Sequence, residues 1–412
     1  MNPIRRFAIW WFFLVIGLAL AVPAVPISQA SDPWSKVKDR IGPRDAIIVT
    51  HPDGRVLCEK HADQIRVPAS TLKLLTGLVA LKHLGADYRF PTDFYLDPAG
   101  NLIVKGYGDP LLVSEVLADL ARSLVEAAGD LKATGVEDIV LDNTHFAPVK
   151  IPGVTTTANP YDAPNGALCV NFNTVAFARK GASFVSGEPQ TPLLPVVLDR
   201  VRRTGGRSGR VILSQENEET TLYAGHLIRY FLESAGVQVR GEIRLGTVDP
   251  AHDRHIFRHL SPFPLTAVIE KLMTHSNNFI ANQILVAAGI AAEGPPGSLD
   301  KGVRTATAYA RQQLGIGPHH LKLAEGSGIS RDNRISARAT VRILNAFAPH
   351  RSLLKTSGPE SYKSGTLSGI STRAGYIRSP EGTVYRYAIF FNSPGKSAEH
   401  LAGALVRILG DG

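Results

Sequence analysis

The sequence predicts a mixed α/β protein whose main domain is assembled from both ends of the chain. Near the start, residues 45–58 place two apolar runs on either side of a Pro-Asp-Gly turn, which is the pattern of a β-hairpin. Near the end, strand-like segments at 367–377 and 384–391 precede a helix at 398–409, whose leucines recur on one face. Strands at both ends with helices between them indicate one sheet built from the two termini.

The middle of the chain predicts a large inserted region at 87–255. It contains patterns of a hairpin at 94–104, an amphipathic helix at 113–128, a strand ending at 141, a helix at 222–235 and a strand at 237–245. Residues 181–215 differ, because they are rich in Gly, Pro and Arg and hold only short apolar runs. We therefore expect three units: the main domain from 31–86 with 256–412, one inserted subdomain from 87–180 with 216–255, and a smaller one at 181–215.

The first thirty residues have the pattern of a secretory signal peptide. Arg5 and Arg6 precede an apolar run at 7–22, and residues 28–30 (Ser-Gln-Ala) form a small-x-small cleavage site. An uncleaved membrane anchor is the alternative, although the apolar run is short for a bilayer span. Cleavage would remove both arginines and lower the formal charge from +9 to +7. An exported basic protein meets anionic lipid and wall polymers rather than nucleic acid.

The composition indicates a globular protein without a disulfide scaffold or a metal motif. Of its 412 residues, 44% are hydrophobic and 20% charged, which suits two or three packed units. The chain has only two cysteines, Cys58 and Cys169; one disulfide could form, but we expect both to be small buried apolar residues. His252, His255 and His259 lack the HExxH pattern, so we predict no metal, and nothing implies another cofactor.

Ser70 and Lys73 form the first candidate catalytic pair. They lie three residues apart near the start of an apolar run at 68–81, so on the predicted helix they share a face. A lysine can remove the proton of a serine hydroxyl when desolvation and nearby positive charge keep the amine neutral. By itself an S-x-x-K motif is weak, because a capping serine and a solvated lysine produce the same spacing.

Two further motifs follow in the same chain. Ser276-Asn277-Asn278 lies within an apolar helical run, and Lys363-Ser364-Gly365-Thr366 lies at the start of a strand-like segment. With S-x-x-K, they resemble the signature set of class A β-lactamases and penicillin-binding proteins. This sequence keeps the chemical groups of both motifs. Ser276 supplies a hydroxyl with the Asn278 amide two residues later, and Lys363 is a lysine before a strand edge of small residues.

The chain is more closely similar to the class C penicillin-binding proteins, which are D-alanyl-D-alanine carboxypeptidases and endopeptidases with a long insertion after the nucleophile helix. Other stretches that resemble this family lie at 106–110, 142–146, 161–168, 171–173 and 325–333. The resemblance implies a serine β-lactamase/penicillin-binding transpeptidase-like domain: an antiparallel sheet flanked by helices, a helical subdomain and an inserted two-part region. Glu325 and Asn277 depart from the family, which often has Asp at both positions.

The resemblance also implies a role for each catalytic residue. Ser70 would be the acylated nucleophile and Lys73 its general base. Ser276 would relay a proton to the leaving D-alanine, and Asn278 would hold the substrate amide and orient Lys73. Lys363 would add positive charge, which helps to keep Lys73 deprotonated and attracts the terminal carboxylate.

The strand segment after Lys363 would bind the end of the substrate. The hydroxyls of Ser364 and Thr366 could donate to the terminal carboxylate, and Gly365 is the small residue between them. The backbone N–H groups of Ser70 and Thr366 would stabilise the oxyanion, an electrostatic effect worth about 3–4 kcal/mol per donor.

A second set of residues is expected to read the third residue of the substrate peptide. Diaminopimelate carries an ammonium and a carboxylate, for which Asp142 and Arg331 would be the partners. Phe146 would pack against its aliphatic stem. The alternative is that Asp142 caps a turn and Arg331 closes a structural ion pair.

Together these features predict an exported serine-type D-Ala-D-Ala carboxypeptidase, with endopeptidase action on cross-links left open. Its partners would be peptidoglycan peptides ending in D-Ala-D-Ala, and β-lactams as covalent inhibitors, with peripheral contact to membrane or wall through the arginine-rich loop at 200–210 left open. Two alternatives remain: a β-lactamase of the same fold, and a non-catalytic penicillin-recognising protein of the wall.

Overall fold

The computed structural model describes residues 33–155, 157 and 159–410. The predicted signal peptide lies outside these residues. Within the described ranges, no helix is long and apolar enough to cross a membrane.

The α-helices of the described residues are numbered in chain order: α1 (Pro33–Asp39), α2 (Lys73–Leu84), α3 (Ser114–Ala127), α4 (Leu131–Thr134), α5 (Leu198–Arg203), α6 (Asn217–Ser234), α7 (Leu265–His275), α8 (Asn278–Glu293), α9 (Leu299–Leu314), α10 (Ala337–Phe347) and α11 (Ala398–Gly410). The strands are β1 (Ala46–Thr50), β2 (Val56–Lys60), β3 (Ile65–Arg66), β4 (Pro91–Leu96), β5 (Leu102–Gly106), β6 (Ile139–Asp142), β7 (Thr174–Lys180), β8 (Ser183–Ser186), β9 (Ser208–Ile212), β10 (Ile243–Leu245), β11 (Arg254–Leu260), β12 (Leu321–Lys322), β13 (Arg334–Ser336), β14 (Lys355–Ser357), β15 (Glu360–Leu367), β16 (Ile370–Arg378) and β17 (Val384–Phe391).

The main sheet has six antiparallel strands in the order β14-β15-β16-β17-β1-β2. The hairpin β1–β2 from the start of the chain pairs with β17 from its end, as the terminal patterns predict. Every residue of β1 is buried because helices cover both faces of the sheet. Ile47 and Val49 pack with residues of α1 and α11, whereas Ala46 and Ile48 pack with the core of α2, α8 and α10. The core of α2, α8 and α10 supports the beginning of α2, which directly follows the candidate nucleophile.

A second sheet, with the order β10-β6-β5-β4-β11, has its own core. Its strands pack against α3 and α6, whose apolar faces supply residues such as Leu120, Leu124 and Leu227. The small sheet β8-β7-β9 contributes Val175 and Phe177 to the same core. This separate core supports an inserted region, although its status as a domain stays a prediction.

Two predicted boundaries of the inserted region cut through paired strands. The boundary at 255 falls inside β11, which pairs with β4 through Leu260. The boundary at 181 separates β7 from its partners β8 and β9. Strand pairing therefore extends the inserted region to about residue 260 and keeps β7 together with β8 and β9, while the domain limits themselves stay a prediction. The pattern around 255 did not reveal the first pairing, because β4 lies more than 150 residues before β11.

Both cysteines are buried, as expected, and they are not joined in a disulfide. The predicted strand at 237–245 is shorter in the structure. Only Ile243–Leu245 pairs continuously with β6, while Val239 makes an isolated bridge to Val136.

Candidate active site

Ser70 lies in a 3-10 turn, Ala69–Leu72, that leads directly into α2. The helix proper begins at Lys73, so the predicted helix starts with a tighter turn. Two glycines allow neighbouring segments to approach this turn. A Cβ on Gly365 would lie 2.6 Å from the Ser70 backbone nitrogen, and one on Gly328 would lie 1.9 Å from the Ala69 carbonyl oxygen. The serine is therefore held between strand β15 and the loop that contains Gly328.

Ala69 has a φ of +47°, a left-handed conformation that costs a non-glycine residue energy. This strained residue immediately precedes the nucleophile and is fully buried. Its strain is maintained by the close packing of Gly328 and Gly365, and residues held in this way cluster at functional sites.

Lys73 is fully buried and its Nζ atom has three close partners. The atom lies 2.9 Å from Ser70 Oγ, 2.8 Å from Asn278 Oδ1 and 2.7 Å from the Ser327 carbonyl oxygen. Burial lowers the pKa of this amine well below its usual value, and the positive charge of Lys363 lowers it further. The site thus favours the neutral amine beside the serine hydroxyl.

Ser276 breaks the helical run that the sequence predicts around it. Helix α7 ends at His275, and Ser276 adopts a left-handed conformation with a φ of 53° and a ψ of 34°. Asn277 then caps α8 by accepting a hydrogen bond from the Ile280 backbone N–H at 3.0 Å. The break places Ser276 Oγ 2.8 Å from Lys363 Nζ, and it starts α8 with Asn278.

Lys363 lies on β15 among residues of alternating exposure. Lys363 and Gly365 face inwards, whereas Ser364 and Thr366 are exposed. Burial lowers the pKa of Lys363 to about 8, and Lys355 adds to this effect. The ammonium donates to Ser276 Oγ and to the Ser364 carbonyl, both at 2.8 Å.

The edge of β15 is open beside the catalytic residues. Strand β14 pairs with β15 only from Glu360 to Tyr362, so the segment from Lys363 to Leu367 has β16 as its one strand partner in the described chain. An open strand edge can bind an extended peptide through its backbone groups.

The loop at 325–333 contains a residue whose role sequence reasoning missed. Glu325 is buried, and its carboxylate accepts hydrogen bonds from the backbone N–H groups of Ser327 at 2.6 Å and Gly328 at 2.7 Å. Asn282 and Asn333 also donate to it, at 3.0 and 2.6 Å. The carboxylate thereby shapes the loop that presents the Ser327 carbonyl to Lys73. The resemblance of this loop to the family was the available signal, but a backbone carbonyl leaves no mark in a sequence.

The structure does not support the substrate-reading role predicted for Asp142. Its carboxylate is buried and already accepts from Thr144, from the Val248 backbone N–H at 3.1 Å and from Lys105 Nζ at 3.1 Å. These donors occupy both oxygens and help to hold the pKa of Asp142 below its usual value. These contacts fit the alternative, in which Asp142 caps a turn, and its substrate-reading role stays a prediction.

Phe146 is also buried, whereas Arg331 closes no structural ion pair in the described chain, so its role at a carboxylate stays a prediction. Phe146 is buried in a small core with Val149 and Ala167, and its ring packs on Gly108, so it offers no free face to a ligand. Arg331 is exposed and donates to the Ser368 carbonyl at 2.6 Å, at the end of strand β15. It has no ion pair in the described part of the chain.

The arrangement can therefore carry out acyl transfer through Ser70. It has a nucleophile, a base within hydrogen-bonding distance, a second hydroxyl paired with a cation and an open strand edge. Over residues 33–155, 157 and 159–410, no three His, Cys, Asp or Glu side chains are grouped to hold a metal ion.

Comparison with known proteins supports this interpretation. A model of the D-Ala-D-Ala carboxypeptidase 3 (S13) family matches residues 38–202 and 204–358. The D-alanyl-D-alanine carboxypeptidase of Actinomadura sp. (strain R39) is 27% identical over 410 residues, covering 82% of this chain and 75% of the relative. The D-alanyl-D-alanine carboxypeptidase DacB of Haemophilus influenzae is 24% identical over 404 residues, covering 87% and 81%.

The fold agrees with that of a solved structure. Penicillin binding protein 4 from Haemophilus influenzae superimposes with a TM-score of 0.71 at 20% sequence identity, covering 91% of this chain and 98% of the other. This similarity confirms the predicted penicillin-binding fold. On the extent of the family match, the chain belongs to the D-Ala-D-Ala carboxypeptidase 3 (S13) family of serine peptidases, as the resemblance in its motifs predicted.

Proposed function

We propose that this enzyme is an exported serine D-Ala-D-Ala carboxypeptidase that cleaves peptidoglycan peptides through an acyl-enzyme on Ser70. The observation that carries the proposal is the set of hydrogen bonds around Lys73. A neutral amine has two N–H donors and one lone pair. The Asn278 amide oxygen and the Ser327 carbonyl can only accept, so they take both donors. The lone pair then faces Ser70 Oγ and can accept its proton.

Acylation begins when Ser70 Oγ attacks the carbonyl carbon of the penultimate D-alanine. The serine proton passes to Lys73 Nζ, and negative charge develops on the carbonyl oxygen of the substrate. The backbone N–H groups of Ser70 and Thr366 are our proposed oxyanion donors, because Gly365 brings the two segments together. The terminal carboxylate of the substrate binds near the Lys363 ammonium and the exposed hydroxyls of Ser364 and Thr366.

Collapse of the tetrahedral intermediate breaks the peptide bond, and the leaving amine takes up one proton. Ser276 is placed to deliver it, because its hydroxyl accepts a hydrogen bond from Lys363 and can be reprotonated after donating. A water molecule then attacks the ester, and Ser70 regains its proton. If the leaving amine belongs to another stem peptide, the same steps open a cross-link, which is endopeptidase action.

Release of D-alanine from an acetylated peptide ending in D-Ala-D-Ala tests this function. The wild type should release D-alanine and Ser70→Ala should not. The absence of release by a folded wild-type enzyme would favour the non-catalytic penicillin-recognising protein. Export and wall association are part of the proposal, supported by the signal-like residues 1–30 and the basic charge.

A β-lactamase of the same fold is the second candidate function. The two activities differ in the lifetime of the penicilloyl-enzyme, which persists in a carboxypeptidase and hydrolyses within seconds in a β-lactamase. We therefore expect the adduct on this enzyme to persist after excess penicillin is removed, with intact-mass measurements over time as the readout.

A further inference from the structure

A groove lined by arginines lies next to the catalytic strand edge. Arg44, Arg66, Arg331 and Arg334 line a cavity of about 510 Å³. We call this surface the arginine groove. Its remaining wall includes the β15–β16 turn at Ser368–Gly369.

The guanidinium groups of this groove keep their charge unneutralised. None of the four arginines is in an ion pair within the described ranges. Their contacts are mainly with carbonyl groups, as for Arg66 with the Pro43 carbonyl at 2.8 Å and Arg334 with that of Asn333 at 2.9 Å. Backbone carbonyls orient a guanidinium while leaving its net charge in place. The Arg66 Nε atom is buried without a hydrogen-bond partner.

The nearby acidic groups do not cancel this charge. The negative charge of Asp45 interacts with Arg66, but the Asp45 carboxylate already accepts a hydrogen bond from Lys396 Nζ at 2.6 Å. Asp332 is exposed between Arg331 and the groove strand β13 and supplies one negative charge. Four arginines against that single carboxylate leave the surface strongly positive.

The groove lies on the path that a bound peptide would follow. If Lys363 and Ser364 hold the terminal carboxylate, the rest of the substrate leaves along β15 towards Ser368. A strand advances about 3.3 Å per residue, so the turn at Ser368 lies about 7 Å beyond Thr366. Acidic groups several residues before the scissile bond would therefore reach the arginines.

We propose that the arginine groove is a carboxylate subsite of the same enzyme, which binds an acidic group of the substrate peptide remote from the scissile bond. This inference rests on the proposed function, since it assumes that a D-Ala-D-Ala peptide occupies the β15 edge. Guanidinium groups bind carboxylates in paired, planar hydrogen bonds, which suits a groove lined by several of them. A free phosphate polymer is the competing ligand, but nothing would then couple it to catalysis.

A pair of matched peptides tests this subsite. Neutral tri- and tetrapeptides ending in D-Ala-D-Ala are capped with either a succinyl group, which ends in a carboxylate, or a succinamoyl group, its neutral isostere. For the wild type, kcat/KM for the succinyl peptide should exceed that for the succinamoyl peptide by about fivefold, the value of one or two partly exposed ion pairs. In the double variant Arg44→Gln/Arg334→Gln this ratio should fall to about one.

A matched control removes two exposed arginines elsewhere. Arg203→Gln/Arg207→Gln changes the net charge equally, and neither residue is in an ion pair of the described chain. This variant should keep the wild-type ratio. Because the ratio compares two substrates of one enzyme sample, partial misfolding of a variant does not change it.

Several results would overturn the subsite. They are a wild-type ratio near one for both peptide lengths, a ratio that survives in the groove variant, and a ratio that falls equally in the control. Inhibition by inorganic polyphosphate without any succinyl preference would assign the groove to phosphate instead. If wild-type enzyme hydrolyses neither peptide, the proposed function fails; if it hydrolyses both equally, only the subsite fails.

Discussion

In the proposed mechanism Lys73, a residue that is ordinarily charged, acts as a base at neutral pH. Two of its three partners, Asn278 Oδ1 and the Ser327 carbonyl, accept only, and the third is the hydroxyl to be deprotonated. No acidic side chain is among the hydrogen-bond partners of its Nζ atom in the described structure. Burial and the nearby Lys363 lower its pKa, whereas the more distant Glu325 opposes them. The balance favours a free lone pair on the amine.

Removing this amine should greatly slow acylation near neutral pH while leaving penicillin access intact. Lys73→Ala should slow penicillin acylation by about 10²- to 10⁴-fold, the range for a lost general base. Raising the pH should restore part of the rate, since more of the Ser70 hydroxyl is ionised. Stopped-flow acylation over a pH series measures both effects. Near-normal acylation of the variant at neutral pH would show that another group is the base.

Lys363 should determine the alkaline limit of activity. Its pKa is lowered to about 8, so the ammonium loses its proton as the pH rises through that value. Substrate binding needs the charged form, and kcat/KM should therefore fall about tenfold per pH unit above about pH 8. In Lys363→Arg the charge persists, because a guanidinium stays protonated, and the alkaline fall should disappear. A fall at the same pH in both enzymes would rule out Lys363 as its source.

At the scale of elements, the site is made by three interruptions of regular structure. A 3-10 turn precedes α2, a left-handed Ser276 separates α7 from α8, and the loop at 325–333 is drawn into shape by Glu325. The sequence predicted the elements and the motifs they carry. It did not predict the interruptions, because they depend on contacts between segments about fifty to three hundred residues apart.

The loop carboxylate should affect both stability and the acidic limit of activity. Glu325 raises the pKa of Lys73, so Glu325→Gln should lower that pKa further and move the acidic limb of kcat/KM to lower pH. The variant should also unfold at a lower temperature, since a Gln amide cannot accept all the N–H groups that now meet two oxygens. Glu325→Asp keeps the charge and serves as the control. An acidic limb that stays in place or moves to higher pH in the Gln variant would contradict this role.

Two glycine-to-alanine variants separate the effect of Gly328 packing against the Ala69–Leu72 turn from the effect of its backbone conformation. Gly328 and Gly54 have similar positive φ angles, 85° and 94°, but only at Gly328 would a Cβ meet another atom within 4 Å. Replacing either by Ala should cost about 1–2 kcal/mol of stability through the left-handed backbone. Only Gly328→Ala should also slow penicillin acylation, by about tenfold or more. Equal acylation rates in the two variants would show that the contact with Ala69 is not important.

At the scale of the whole molecule, the main sheet and the inserted strands have separate cores. The core of α2, α8 and α10 supports the main sheet and the candidate catalytic residues, and another core holds the inserted strands against α3 and α6. The terminal hairpin and strands predicted the main sheet, since their apolar patterns are strong and local. The limits of the insertion were misplaced, because β11 pairs with β4 more than 150 residues earlier in the chain.

The same difference between local sequence patterns and long-range contacts applies to the second set of site residues. Asp142 and Phe146 have side chains that a reader of a zwitterionic group needs, but residue type does not reveal existing partners. In the fold, Lys105 and Thr144 occupy Asp142, and Gly108 receives the ring of Phe146. By contrast, Ser70 and Asn278 lie 2.8–2.9 Å from Lys73 Nζ, and Ser276 Oγ lies 2.8 Å from Lys363 Nζ.

The most direct test of the account is to locate the covalent adduct formed with benzylpenicillin. Wild-type enzyme is incubated with the drug and digested, and the modified peptide is sequenced by tandem mass spectrometry, with Ser70→Ala and Ser276→Ala treated in parallel. We predict one adduct per chain, on Ser70, its complete absence in Ser70→Ala, and slower labelling of the same Ser70 in Ser276→Ala. An adduct on any other residue of the wild type, or undiminished labelling of Ser70→Ala, would contradict the account.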